Sequence, residues 1–134
     1  MNQIAQSLDI DLDMVEQHML TLPPVECPIT HLFGPGIYIR QIFLPKNTYA
    51  MGHAHKRESI NMLLSGSLTM LEDGVSRLIT APYFFVGKAC RKMVFAIEDS
   101  VFQNIFATTE TDIEKLEDML VDKSNAFLAL EGAK

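Results

Sequence analysis

Gly52-His53-Ala54-His55-Lys56-Arg57-Glu58-Ser59, continuing through Ile60-Asn61-Met62-Leu63-Leu64-Ser65 to Gly66, is the stretch whose reading decides the fold. It places two of the four histidines one residue apart between two strand-like runs, with glycine at both ends. Residues i and i+2 of an extended segment point to the same face, so His53 and His55 are expected to converge. Two imidazoles on one face can hold a divalent metal, or bind and protonate an anionic ligand.

Outward from that stretch, short apolar or alternating runs rich in β-branched and aromatic residues predict strands over 37–44, 49–54, 60–65, 68–72, 75–80, 83–86, 93–97 and 101–107. Turn residues separate them. Glu72-Asp73-Gly74 is the clearest hairpin, because Asp-Gly supplies the positive φ that a tight turn requires. Short strands at this regular spacing predict a β-sandwich or small barrel.

The two ends differ in texture. Leu8, Leu12, Val15 and Met19 recur at helical spacing with Asp9, Asp11 and Asp13 near the helix start, which predicts a short amphipathic helix or a docked arm. His18 on that helix reads as a capping or solvated residue. Pro23, Pro24 and Pro28 then stop the helix and force an extended crossing. Beyond the strands, Thr111-Asp112-Ile113-Glu114 has the form of a capping box, with Ile113, Leu116, Met119 and Leu120 on one helical face. That face is expected to pack on its own β-domain or on a second subunit. The terminal apolar group Phe127, Leu128 and Leu130 receives no assigned place.

The chain has 134 residues, 48% hydrophobic and 21% charged, which is the size and composition of one folded domain. Its net charge of -6 argues against nucleic acid as a partner. The basic pairs Lys56-Arg57 and Arg91-Lys92, the latter with Lys88, could still face one small anion. No apolar run approaches the ~20 residues of a membrane span, so a soluble, cytoplasmic protein is expected. Cys27 and Cys90 read as reduced thiols. There is no P-loop, nucleophile elbow, HExxH or dinucleotide fingerprint.

This order of motifs resembles a small single-domain cupin. His53-Ala54-His55 matches the histidine pair of the first cupin motif, and Gly66 its closing glycine. Gly52 abuts His53 instead of preceding it at a distance, and Ser59 holds the glutamate's spacing while Glu58 lies one residue early. Gly87 matches the second motif, where Phe85 replaces its proline and Cys90 its histidine. Phe106 stands where a late histidine is common. Within the cupins, the elements Cys27-Pro28, His31-Leu32-Phe33, Pro35 to Arg40, Ala81-Pro82 and Glu110-Thr111-Asp112 are similar to those of proteins from tailed bacteriophages.

The resemblance implies a mainly β chain: a single-domain cupin jelly-roll β-barrel over 23–108, an N-terminal helix or arm over 1–22, and a C-terminal helical segment over 109–134. It implies a metal set of His53, His55, Glu58 and Cys90 for a divalent transition metal such as Zn, Fe, Mn or Ni, with His31 added if the N-terminal segment folds over the barrel mouth. Glu58 joins the set only if a turn at Lys56-Arg57 brings it inward, and Cys90 reads as a small buried thiol ahead of a ligand. A metal-free ligand pocket would take hydrogen bonds from His53, His55, Asn61, Gln103 and Asn104 and walls from Tyr38, Tyr49, Phe84 and Phe95, although strand alternation must send some of these outward. Met62, Met70 and Met93 read as core filler. The expected function is binding of a divalent metal or small-molecule ligand through the histidine pair, in a homodimer, with turnover an open question. The alternative is a phage accessory or structural protein, in the host cytoplasm, that uses a degenerate cupin scaffold to bind a protein partner.

Overall fold

The computed structural model describes residues 3–7, 11–23 and 25–123, the first stretch through its backbone alone. Leu8, Asp9, Pro24 and the group Phe127, Leu128 and Leu130 lie outside the described residues. The chain runs through β1 (Gln3–Ser7), α1 (Leu12–Met19), β2 (Ile29–Gly34), β3 (Ile37–Leu44), β4 (Tyr49–Met51), β5 (Ala54–His55) and β6 (Ser59–Ser65). It continues with β7 (Ser67–Glu72), β8 (Val75–Thr80), β9 (Tyr83–Gly87), β10 (Lys92–Ala96), β11 (Ser100–Ala107), α2 (Ile113–Leu120) and β12 (Val121–Asp122).

Two antiparallel five-stranded sheets result, ordered β1-β8-β7-β10-β4 and β2-β3-β11-β6-β9. Leu68, Met70, Ile79 and Ala96 of the first sheet meet Leu44, Leu63 and Phe102 of the second in one buried cluster. Each sheet keeps its edges, so the two sheets are not closed into a barrel; they face each other as a double-sheet sandwich, in keeping with the expected mainly β jelly roll. Turn chemistry fixes the connections. Asp73 and Gly74 take φ of 51° and 76° in the β7–β8 hairpin, and Gly66 takes φ of 89° between β6 and β7. A Cβ on Gly66 would collide with Ser100, so the glycine is required for both conformation and space.

Register explains the two faces of the second sheet. Leu32, Ile39, Ile105, Ile60 and Val86 form an unbroken aliphatic row across all five strands on the outer face. On the inner face the corresponding polar row is His31, Arg40, Asn104 and Asn61. This row divides the interior: the inter-sheet core lies on one side, and Tyr38, Phe106, Leu116 and Leu120 form a second cluster on the other.

The helices dock by different forces. In α1 the buried residue is Glu16, which pairs with Arg91, while Asp13 binds the same guanidinium at 3.1 Å. Arg91 also donates from Nε to the Gly52 carbonyl at 3.0 Å, so an ionic clamp holds α1 beside the histidine stretch. In α2, Leu116 and Leu120 are buried against Tyr38 and Phe106, so the helix covers its own sheet. Met119, expected on that face, is 46% exposed. Asp112 is the N-cap, accepting from the amides of Glu114 and Lys115, so the cap sits one residue after the expected Thr111.

Candidate functional site

The expected strand over 49–54 is two short pieces, β4 and β5, separated by Gly52 and His53. β5 pairs with β12, placing Val121 opposite His55 and Asp122 opposite Ala54. Lys56 extends the join: its amide donates to the Leu120 carbonyl at 2.8 Å and its Nζ to the Asp118 carbonyl at 2.7 Å. From the other side, the His55 amide donates to the Cys90 carbonyl at 3.2 Å. The histidine stretch is therefore strapped to the end of α2 and to the β9–β10 loop.

Between this strap, the polar row and α2 lies a cavity of about 270 Å³. His31, Arg40, His53, His55, Asn104 and Glu117 supply its polar lining, and Met51, Phe106, Ile113, Leu116, Leu120 and Val121 supply apolar wall. His53 and His55 line the same space, as the i, i+2 spacing requires. The His55 ring lies 6.0 Å from that of Phe106, and its Nδ1 is buried without a hydrogen-bond partner among the described residues. Nε2 is then the ring nitrogen left to meet a ligand.

The charge state of the pair follows from its surroundings. Burial pulls His55 down to about 4, and the positive charges of Lys92 and Arg40 and the neighbouring His53 add to that effect. Burial lowers His53 as well, helped by Lys123, Arg91 and Arg40 and opposed by Glu16. Both imidazoles are neutral at pH 7.

The other predicted site residues are dispersed. Asn104 lines the cavity; Asn61 lies behind it, fully buried, and accepts the Asn104 amide at 2.5 Å. Asn61 rests directly against Gly87, where any Cβ would overlap its amide nitrogen. Gln103 faces the outer side and donates to Gln41 at 2.7 Å, because adjacent strand residues cannot share a face. Tyr49 is 60% exposed on the first sheet, beside Phe95 at 4.5 Å between rings. Phe84 is 70% exposed on the outer face of the second sheet.

A transition metal needs three or four converging donors. Glu58 is exposed and outside the cavity lining despite the bend at Lys56-Arg57. Cys90 also lies outside the lining, and burial pushes its thiol up, which keeps it protonated and a poor ligand. Among the described residues no group of three or more His, Cys, Asp or Glu side chains is placed to hold a metal ion. The donor set does not fit the metal centre that the resemblance implied.

Arg40 was the residue missed by motif reading. It belongs to the inward set Tyr38, Arg40, Ile42 and Leu44 of β3, and a charge in phase with core residues was the available signal. Among the described residues its guanidinium makes no hydrogen bond or ion pair with the protein. His31, beside it, shares a 2.7 Å hydrogen bond between Nδ1 and the Tyr38 hydroxyl.

At the level of sequence, neither a protein-family profile nor a curated protein matches the chain. Solved structures do. The cupin domain of an XRE family transcriptional regulator from Enterobacter cloacae is similar over 63% of this chain and 98% of that one, with 14% identity and a TM-score of 0.51. A cupin protein from Bacteroides fragilis covers 68% of this chain and 85% of its own length, at 15% identity and TM-score 0.50. A cupin domain from Bordetella pertussis is similar over 66% of this chain and 99% of that one, at 11% identity and TM-score 0.50. With its two facing antiparallel sheets and these neighbours, the chain has the cupin fold.

Proposed function

We propose that the protein binds a small organic molecule in the cavity beneath α2, through hydrogen bonds to His53, His55 and Asn104, with no transition metal as intermediary. The observation that carries this reading is the cavity itself, with neutral imidazoles and an amide set among apolar walls. Asn104 commits its amide group to Asn61, which leaves its carbonyl oxygen as an acceptor for a ligand. A volume of about 270 Å³ suits a compact ligand. Ligand-observed NMR with a library of small neutral, anionic and cationic organic molecules tests the reading. Binding should be found in the wild type and lost in Val121→Phe, which fills the cavity wall. A library without binders, or binders indifferent to Val121→Phe, would contradict it.

The outer face of the second sheet supports a second reading, self-association. Its aliphatic row is followed by Thr30, Gln41, Gln103, Met62 and Phe84, so these two rows carry no charge in a chain of net charge -6. Ile37, Phe43, Ile60, Leu64, Phe84 and Val86 on this face are each more than a third exposed. A standard protein interface takes roughly 800 Å² from each partner, and a contiguous exposed apolar face is the kind of surface that supplies it. A second copy is the proposed occupant, since like-charged molecules repel least where both are uncharged.

A further inference from the structure

We infer that Arg40 is an anion clamp, and that the ligand of the cavity is a small carboxylic acid with an apolar body. This rests on the small-ligand reading above and adds the ligand's chemical class.

A guanidinium has five N–H donors in a planar fork and cannot shed its charge inside a protein. Withdrawn from bulk solvent, those donors normally find acceptors. Those of Arg40 have none within the described protein, although the side chain is largely withdrawn from solvent and lines the cavity. Its neighbours are committed elsewhere. The His31 Nδ1 is bonded to Tyr38, and the Asn104 amide to Asn61. Glu117 is the one carboxylate in the lining, and it pairs with Lys123 at 3.3 Å and makes no ion pair with Arg40.

Charge in the cavity favours an anion. Arg40 and Glu117 are the charged residues of its lining; Glu117 is paired with Lys123, and Arg91 and Lys92 outside the lining are paired with carboxylates too, which leaves Arg40 as the cation for a ligand to neutralise. Burial, with the nearby positive charges adding to it, keeps the imidazoles neutral, so they can hydrogen-bond a bound acid without adding a buried charge of their own. A carboxylate matches the guanidinium fork with two parallel N–H···O bonds. In the same lining, Phe106, Leu116 and Leu120 offer an apolar surface to the remainder of the ligand. The volume admits roughly a dozen non-hydrogen atoms.

The test compares phenylacetate with its neutral isostere phenylacetamide by titration calorimetry at pH 7, on wild type, Arg40→Met and Arg40→Lys. The wild type should bind the acid about tenfold or more tightly than the amide, the scale of one charge-assisted pair. Arg40→Met should erase that preference while changing amide affinity less than about threefold, and Arg40→Lys, which keeps the charge but loses the fork, should retain part of it. Equal affinity of the two probes for the wild type, or a preference that survives in Arg40→Met, would overturn the clamp while leaving the cavity reading intact. Binding of neither probe would overturn both. If Arg40→Met fails to fold, salt decides: wild-type affinity for the acid must fall with ionic strength while that for the amide holds, and parallel behaviour refutes the clamp.

Discussion

His55 offers the sharpest quantitative prediction. Its folded pKa of about 4 lies below the ordinary 6.5 because the ring is buried and faces the positive charges of Lys92 and Arg40. Between these values the unfolded chain binds the proton and the folded one does not, so stability falls as pH drops through that window. The contribution is fully present above pH 6.5 and lost as pH falls to about 4. The complete gap corresponds to roughly 3.4 kcal/mol, of which about 2 kcal/mol is expressed at pH 5. Solvent reaching the half-buried ring through the cavity reduces the expected effect to about 1–2 kcal/mol. Burial lowers His53 as well, so the informative quantity is the wild type minus His55→Gln difference. Urea unfolding of both proteins at pH 7 and pH 5 measures it. Wild type should lose about 1–2 kcal/mol more than the variant between the two conditions. A difference independent of pH, or one in which the variant loses more, would refute the placement of a neutral, buried His55 beside Lys92 and Arg40.

Other substitutions probe other parts of the account. Gly87→Ala drives a methyl into the Asn61 amide and should cost about 2–3 kcal/mol in thermal or urea unfolding; Asn61→Ala in the same chain should recover part of that loss, and strict additivity would argue against the contact. Asp112→Ala removes the acceptor for the first-turn amides of α2 and should lower stability by about 1 kcal/mol, with faster amide exchange in that helix. Ile60→Glu places a charge in the middle of the aliphatic row on the outer sheet face. Light scattering coupled to size exclusion should show a wild-type dimer and a monomeric variant, and a monomeric wild type would remove the self-association reading.

The fold was legible wherever alternation and turn chemistry coincide. The strands over 37–44 and 75–80 match β3 and β8 at both ends, since each is bounded by turn residues and Asp73-Gly74 fixes one boundary. β1, β2 and β12 were not foreseen. β1 and β2 are edge strands and β12 spans two residues, so pairing partners rather than an internal pattern define them. In the site, spacing put His53 and His55 together, but it could not say that Glu58 would stay outside. Alternation requires Gln103 and Asn104 to face opposite ways without telling which one points in. Register decides it, by joining Asn104 to Arg40 and Asn61 across the sheet. Arg40 belongs to no chemical motif: its phase with the core residues of β3 was readable, but that its guanidinium has no hydrogen-bond or ion-pair partner among the described residues emerges only from the packed neighbourhood.

The most direct measurement is a crystal structure of the protein grown with phenylacetate. The account predicts density in the cavity beneath α2, with the carboxylate in two hydrogen bonds to the Arg40 guanidinium and the ring against Phe106, Leu116 and Leu120. A ligand-free cavity at saturating phenylacetate, or a carboxylate bound away from Arg40, would contradict it.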